Sequence, residues 1–194
     1  TNDEELWKFI WEYKDHGKSY DKVNEINFTS GFRWLHDSFG SNYRMTEMQS
    51  AIGRIQVSKM KFWTQVRNRN ASRLLEVCNK FPNLFSTPVV SSEDIHAYYK
   101  FYTYIKPQGL KSGYSRDSIM KTLNKLGVPT FSGSCSEIYL ESAFYKTAFK
   151  PKARLPVAKQ LGETSLVFLV HPTLSKDDMS DMTDIIEKVF NDAS

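Results

Sequence analysis

Residues 40–49 read Gly-Ser-Asn-Tyr-Arg-Met-Thr-Glu-Met-Gln, and this stretch decides the fold because it starts a long helix. Thr46 is followed three residues later by Gln49, the spacing of a capping box, so we predict a helix that begins at about Glu47. Apolar residues then recur at helical spacing, and no proline interrupts the run before Pro82. The helix is therefore predicted to extend over roughly 35 residues, about 50 Å, a length typical of a connection between two packed bodies. Its apolar positions are Met48, Ala51, Ile52, Ile55, Phe62, Trp63, Val66, Leu74, Leu75 and Cys78.

The loop before this helix carries Asn42, Tyr43 and Arg44. An amide, a phenol and a guanidinium at a helix N-terminus can together bind a phosphate or a carboxylate. The alternative is that Asn42 and Arg44 only satisfy backbone groups at the start of the helix. The residues by themselves leave both interpretations open.

The run Asn-Tyr-Arg-Met-Thr-Glu-Met-Gln-Ser-Ala-Ile-Gly at 42–53 resembles the N-Y-R-M-[ST]-E-x-Q-A-A-I-G signature of the DegT-type (StrS-type) sugar aminotransferases. Members of that family use pyridoxal phosphate (PLP) to aminate ketosugars attached to nucleotides. Residues 1–6 and 15–17 resemble the helix that follows the family's PLP-lysine strand. Residues 169–174 resemble its C-terminal "LHP" turn. These matches run in order over nearly the whole chain.

The resemblance implies an α/β chain that is the C-terminal part of a fold-type I PLP-dependent transferase. Residues 1–80 would be the remnant of the large PLP-binding domain with the long connecting helix. Residues 81–194 would be a small, three-layer-like α+β domain. The family's Schiff-base lysine, its carboxylate and its ring-stacking residue all lie upstream of the segment that matches Thr1, so no catalytic residue is expected here. The chain alone is expected to be inactive.

Four residues can be carried over from the family. Asn42 matches an asparagine that reaches across a homodimer interface to the PLP phosphate, which makes it cofactor-binding. Arg44, with the adjacent Tyr43, matches a substrate-binding position near the nucleotide diphosphate. His171 matches a histidine close to the sugar, although an ordinary histidine at a strand end explains it equally well. The chain departs from the family pattern at residues 131–136, so a different sugar or nucleotide is expected there.

The implied reaction transfers an amino group from glutamate to a nucleotide-linked 3-keto or 4-keto deoxysugar, in a homodimer with shared active sites. Its products would serve lipopolysaccharide O-antigen or other polysaccharide biosynthesis. A PLP-dependent sugar dehydratase uses the same scaffold, with histidine in place of the lysine. A third hypothesis is a non-enzymatic module that binds nucleic acid or regulates.

The net charge of +4 comes from the long helix, where residues 46–80 hold seven basic residues against two acidic ones. Such a helix can bind nucleic acid, present a solvated face or steer a phosphorylated substrate. The apolar run 166–170 is too short to span a bilayer. Cys78 and Cys135 form no metal or redox motif, so a reduced cytosolic protein without a bound metal is expected.

Shorter patterns predict the remaining elements. We predict a helix from the first residues, capped by Thr1 or Asn2, to about residue 16. The aromatic loop 18–41, which includes Phe28, is either a flap over a ligand or a loop held by its own rings. Strand, helix, strand, helix, strand, helix makes a small α+β domain. Its predicted elements are strands at 96–106, 128–132 and 164–170, helices at 115–126, 155–161 and from 175 to near the end, and helical turns within 137–149.

Overall fold

The computed structural model describes residues 1–26 and 31–194, so Phe28 of the predicted aromatic loop lies outside the described residues. The chain forms two compact units, Thr1–Ser58 and Lys59–Ser194. The long helix passes through the boundary between these units. The predicted division into domains 1–80 and 81–194 stays a prediction.

The first unit contains helices α1 (Glu4–Lys14) and α2 (Tyr20–Val23). The cap of α1 was predicted wrongly, because Asp3 and not Thr1 or Asn2 accepts a hydrogen bond from the Leu6 amide, at 2.9 Å. A short carboxylate in extended backbone suits this position well, since it satisfies an otherwise unpaired amide at the start of the helix.

Helix α3 spans Glu47–Asn79, which confirms the predicted long helix. Its capping box is present in full. The Thr46 amide donates to Gln49 Oε1 at 2.9 Å, and the Gln49 amide donates to Thr46 Oγ1 at 3.3 Å. The two bonds satisfy backbone donors that no helical carbonyl can reach, so they fix where the helix begins.

The apolar positions of α3 divide into two groups. In the second unit Val66, Leu74 and Cys78 are buried, as predicted for a packed face, but the predicted position Phe62 is 63% exposed. In the first unit the apolar positions are exposed, and no apolar side chain of the described residues 1–26 and 31–58 is buried. The exposed ones on this helix are Met48, Ile52, Ile55 and Val57. The first unit therefore has no hydrophobic core of its own in the part that the structure describes.

The second unit is built on an antiparallel sheet of strands β1 (Phe85–Ser86), β2 (Phe101–Ile105), β3 (Thr130–Phe131) and β4 (Ser165–Phe168). The strand order is β1-β2-β4-β3. Strand β2 pairs with β4 so that Thr103 faces Leu166. Each predicted strand is present but shorter than expected, and β1 was missed.

Helices α4 (Arg116–Lys125), α5 (Pro156–Thr164) and α6 (Lys176–Ala193) complete this unit. Two of them follow a capping serine at the predicted start: Ser115 caps α4 in a capping box with Ser118, and Ser175 caps α6 in one with Asp178. The predicted turns within 137–149 are two short 3-10 helices, Ile138–Leu140 and Ser142–Phe144.

The hydrophobic core lies between the sheet and helices α3, α4 and α6. The Phe190 ring is fully buried, with its centroid 4.1 Å from that of Phe85 and 5.8 Å from that of Phe81. Burial raises the pKa of the Cys78 thiol to about 12. Among the described residues, no helix has both the length and the apolar character needed to cross a membrane.

Candidate anion site at the start of the long helix

The predicted anion-binding loop is held against the end of α1 by backbone pairing. Isolated antiparallel bridges join Asp15 to Asn42 and Lys18 to His36. This pairing brings the end of α1 beside the Asn42–Arg44 segment although Asp15 and Asn42 are 27 positions apart in the sequence. The supporting bonds are His16 N to Ser41 O at 3.1 Å, Ser41 N to Tyr13 O at 2.7 Å and Tyr43 N to Lys14 O at 2.9 Å.

Two glycines make this close approach sterically feasible. A Cβ on Gly40 would lie 2.4 Å from the Gly17 nitrogen. Gly17 itself has a φ of +84°, which glycine adopts far more readily than other residues. Any side chain at either position would push the two segments apart.

Asp15 is the buried carboxylate at the centre of this arrangement. Its side chain is only 4% exposed, and three basic side chains contact it. Arg44 NH1 donates to Asp15 Oδ2 at 2.9 Å, and Lys18 Nζ donates to Oδ1 at 3.3 Å. His16 Nδ1 lies 3.1 Å from the same Oδ1. One negative charge is thus enclosed by two permanent cations and one imidazole.

The balance of burial and pairing sets the charge state of Asp15. Burial by itself raises the pKa of this carboxyl, but hydrogen bonds from His16, Lys18 and Arg44 outweigh it and lower the pKa to about 2. The carboxylate is therefore ionised at neutral pH. The family resemblance includes Asp15 within residues 15–17 but assigns it no role. Its burial depends on the pairing of two distant segments, which the sequence around Asp15 does not indicate.

The four predicted site residues have different surroundings. Asn42 Oδ1 accepts a hydrogen bond from the Arg44 amide at 3.2 Å, which supports the turn before α3. In the part of the chain that the structure describes, Asn42 Nδ2 has no hydrogen-bond partner, so this donor is available to a ligand. Tyr43 is exposed, with its ring centroid 6.1 Å from that of Tyr13.

His171, the fourth residue, belongs to the second unit and follows β4. Its Nδ1 lies 2.7 Å from Thr173 Oγ1, and its carbonyl accepts a hydrogen bond from Asn70 Nδ2 at 3.4 Å. Asn70 is fully buried, so the second bond has a structural purpose. These contacts agree with an ordinary histidine at a strand end, and its place near a sugar stays a prediction.

The loop that departs from the family pattern, residues 131–136, is fixed by contacts within the second unit. Tyr102 OH lies 3.3 Å from Ser134 Oγ, and Ser165 Oγ donates to the Ser132 carbonyl at 2.5 Å. Cys135 in this loop is exposed. Residues 132–136 of this loop are therefore small and polar, and side-chain contacts hold them within the second unit.

Next to that loop lies a polar cluster that the sequence did not reveal. Glu137 is buried, and its carboxylate accepts two hydrogen bonds from the Arg154 guanidinium. Arg154 Nε donates to Oε1 at 2.8 Å, and Arg154 NH2 donates to Oε2. Tyr139 OH also donates to Oε1, at 2.6 Å, and accepts from the Leu155 amide at 2.9 Å. The hydrogen bonds from Arg154 and Tyr139 lower the pKa of Glu137 to about 2. Among the described residues, no group of potential ligand side chains could hold a metal ion.

The model of the DegT/DnrJ/EryC1/StrS aminotransferase family matches residues 1–189 of the chain. The chain belongs to this family. The match covers both units, so the DegT-type resemblance of residues 42–53 extends to the whole arrangement of helices and sheet described above. The candidate site is therefore interpreted by comparison with PLP-dependent enzymes of the family.

Proteins of known structure share the fold over nearly the whole chain. An aminotransferase from Psychrobacter cryohalolentis is 51% identical, with a TM-score of 0.92, over 99% of this chain and 50% of that one. The spore coat polysaccharide biosynthesis protein SpsC of Bacillus subtilis is 23% identical over 100% of this chain and 49% of its own. The E. coli GDP-4-keto-6-deoxy-D-mannose-3-dehydratase, solved with bound hydrated PLP, is 20% identical with a TM-score of 0.69, over 96% of this chain and 48% of that one. The chain spans about half the length of these relatives.

Proposed function

We propose that this chain is the C-terminal half of a PLP-dependent transaminase that moves an amino group from glutamate to a nucleotide-linked 3-keto or 4-keto deoxysugar. The enzyme works as a cytoplasmic homodimer with shared active sites. Its amino sugar enters lipopolysaccharide O-antigen or a related polysaccharide. The observation that carries the proposal is the pair of exposed donors, the Asn42 amide and the Arg44 guanidinium, held before α3 in a chain of this family.

The two donors suit two different anions. Asn42 presents a neutral Nδ2 donor, which fits a single oxygen of the cofactor phosphate. Arg44 presents a planar cation, which fits the diphosphate of a nucleotide sugar in a two-point contact. When bound, PLP supplies the amino-group transfer itself, so the part of this chain is to bind and orient. The residue that carries the cofactor belongs to the half of the enzyme that this chain does not span.

The exposed apolar side chains of the first unit support the proposal that this chain works together with another part of the enzyme. Helix α1 exposes Leu6, Phe9 and Ile10, and the start of α3 exposes Met48 and Ile52. Large apolar side chains exposed in this number are more typical of an interface than of an isolated domain. We propose that the other half of the enzyme and the second subunit bury these side chains.

A dehydratase on the same scaffold is the second candidate, and the similarity to the E. coli enzyme favours it. Nucleic-acid binding has less support. Several basic residues of α3 already have partners within the second unit. Arg67 donates to the Tyr98 carbonyl at 3.5 Å, Arg73 donates to that of Lys176 at 3.0 Å, and Lys80 pairs with Glu187 at 2.7 Å.

The decisive experiment uses the longer polypeptide that the proposal requires, extended upstream of Thr1. The polypeptide is titrated with PLP while visible absorption is followed, then treated with borohydride and weighed by mass spectrometry. Glutamate is added to a second, unreduced sample, and 2-oxoglutarate is assayed. This chain without the extension is the matched control, and it is expected to show neither lysine-linked cofactor nor 2-oxoglutarate.

Each outcome selects one hypothesis. Cofactor fixed to a lysine by borohydride, together with 2-oxoglutarate from glutamate, supports the transaminase. Bound cofactor that borohydride does not fix supports the dehydratase. A polypeptide that takes up no PLP contradicts both enzymes. Duplex DNA binding that weakens steeply with added salt would then support the nucleic-acid hypothesis.

A further inference from the structure

Arg44 is paired with a buried residue and is also exposed to solvent. Its NH1 is tied to a buried carboxylate, yet its side chain remains 62% exposed. Among the described residues, its Nε and NH2 have no hydrogen-bond partner. A guanidinium held at one corner and open at the others is a preorganised donor, because its rotamers are restricted before any ligand arrives.

The same carboxylate holds two more donors. Lys18 Nζ and His16 Nδ1 both contact Asp15 Oδ1, and their side chains are 31% and 50% exposed. The cluster therefore keeps a surplus of positive charge that faces solvent, around a single buried negative charge. The Arg44–Asp15 bond links residues 29 positions apart, so it exists only when the end of α1 and the loop before α3 are paired.

We propose that Asp15 is a positioning residue for a diphosphate-class anion: it orients Arg44, with Lys18 and His16 beside it, so that their free donors converge on the ligand. This inference rests on the proposed function, since it specifies how the substrate diphosphate is held. Asp15 touches no ligand itself. Its contribution is to fix the guanidinium and to join it to the segment that carries Asn42.

The proposed role of Asp15 predicts the direction in which anion affinity changes when its charge is removed. Removing a negative charge from beside an anion site strengthens anion binding if only Coulomb attraction matters. If Asp15 instead orients Arg44, its neutral isostere weakens binding. The substitution Asp15→Asn thus separates the two explanations by the direction of the effect.

The experiment titrates the chain with inorganic diphosphate and follows binding by calorimetry and by NMR of the arginine Nε–H groups. The variants are Asp15→Asn, Arg44→Ala and, as the matched control, Arg54→Ala, which removes an exposed arginine of the same unit. We expect Asp15→Asn to weaken diphosphate binding about tenfold, equivalent to roughly 1.4 kcal/mol, and Arg44→Ala to weaken it further. Arg54→Ala should change it by less than about twofold.

Equal or tighter binding by Asp15→Asn overturns the inference, and so does wild-type protein without saturable diphosphate binding. The amides of His16 and Tyr43 report whether the variant keeps the segment pairing, because both donate across it. If the variant loses that pairing, the wild-type NMR titration decides. A selective shift of the Arg44 Nε–H before that of Arg54 then supports the inference, and equal shifts overturn it. None of these results depends on PLP, so they stand apart from the test of the transaminase.

Discussion

Gly17 packs so closely against Ser38 that a Cβ on Gly17 would lie 1.8 Å from the Ser38 carbonyl oxygen. The two residues belong to the segments that together hold Asp15 and Arg44. Gly17 also accepts a backbone bond from Asp37, at 3.1 Å, so it cannot move away without breaking this pairing.

The substitution Gly17→Ala is therefore expected to separate the segments. A positive φ costs a non-glycine residue about 1–2 kcal/mol, and the clash with Ser38 adds to this. The expected result is loss of hydrogen-exchange protection at the His16 and Tyr43 amides, measured by NMR. Gly113→Ala is the control, because Gly113 has a similar φ of +89° but open space around it. Wild-type protection of the His16 and Tyr43 amides in Gly17→Ala, as expected in Gly113→Ala, would contradict the predicted clash.

The Glu137–Arg154 pair predicts an acid-labile region in the second unit. The pKa of Glu137 is about 2 in the folded chain against an ordinary value of 4.5. A carboxyl with a lowered pKa stabilises the fold above its unfolded pKa, and that contribution disappears as the pH falls from about 4.5 towards about 2. Protection of the Leu155 amide should decrease over this pH range.

Arg154→Ala tests the cause of that acid sensitivity. Without the guanidinium, the buried carboxylate loses its strongest partner, so the melting temperature at pH 7 should fall and its further loss below pH 4.5 should shrink. Lys152→Ala, which removes an exposed charge nearby in sequence, is expected to behave as wild type in thermal melts. Matching pH profiles for wild type and Arg154→Ala would contradict this account.

Phe190→Ala should be among the most damaging changes in the second unit. The ring is fully buried and contacts two other aromatic rings, and removal of such a ring typically costs about 3–5 kcal/mol. Urea unfolding followed by circular dichroism measures the loss. Phe149 is 81% exposed, so Phe149→Ala should change the free energy of unfolding by less than about 0.5 kcal/mol. A comparable loss in the two variants would mean that Phe190 is not a core residue.

Asn42→Ala tests the cofactor contact in the longer polypeptide. Loss of a hydrogen bond to a charged phosphate should weaken PLP binding by about 1–3 kcal/mol, measured from cofactor absorbance at equilibrium. Gln56→Ala, an exposed amide further along α3, is the control and should bind PLP as wild type does. Identical PLP affinity in wild type and Asn42→Ala would reject the contact with the phosphate.

Features that depend on neighbours in sequence were predicted well. The capping boxes at Thr46 and Ser175 are local, so the starts of α3 and α6 follow directly from residue spacing. Strand β2 was predicted too long because Tyr98 has a φ of +41°, which is incompatible with a strand, and nothing in the alternating pattern of residues 96–106 indicates this. Strand β1 has only two residues, too few for a pattern.

The candidate site was predicted only in part, for a related reason. The resemblance located Asn42 and Arg44, whose motif is contiguous. It gave no sign that Asp15 would be buried under Arg44, or that Glu137 and Arg154 would pair across 17 positions. Such ion pairs arise from tertiary packing, and the residues involved look like ordinary surface charges in a single sequence.

The absence of buried apolar side chains in the described part of the first unit has a thermodynamic consequence. A unit that gains little from the hydrophobic effect is held by backbone pairing, by the Asp15 ion pairs and by the contacts of the Tyr20 ring with Trp7 and Trp11, so we expect its stability to be marginal. Its order is then governed by mass action. A protein that binds α1 and the start of α3 adds RT ln(1 + concentration/Kd) to the stability of the first unit, where the concentration and Kd are those of the binding protein. The melting temperature of the first unit should therefore rise with the concentration of that protein, while the melting temperature of the sheet in the second unit stays constant.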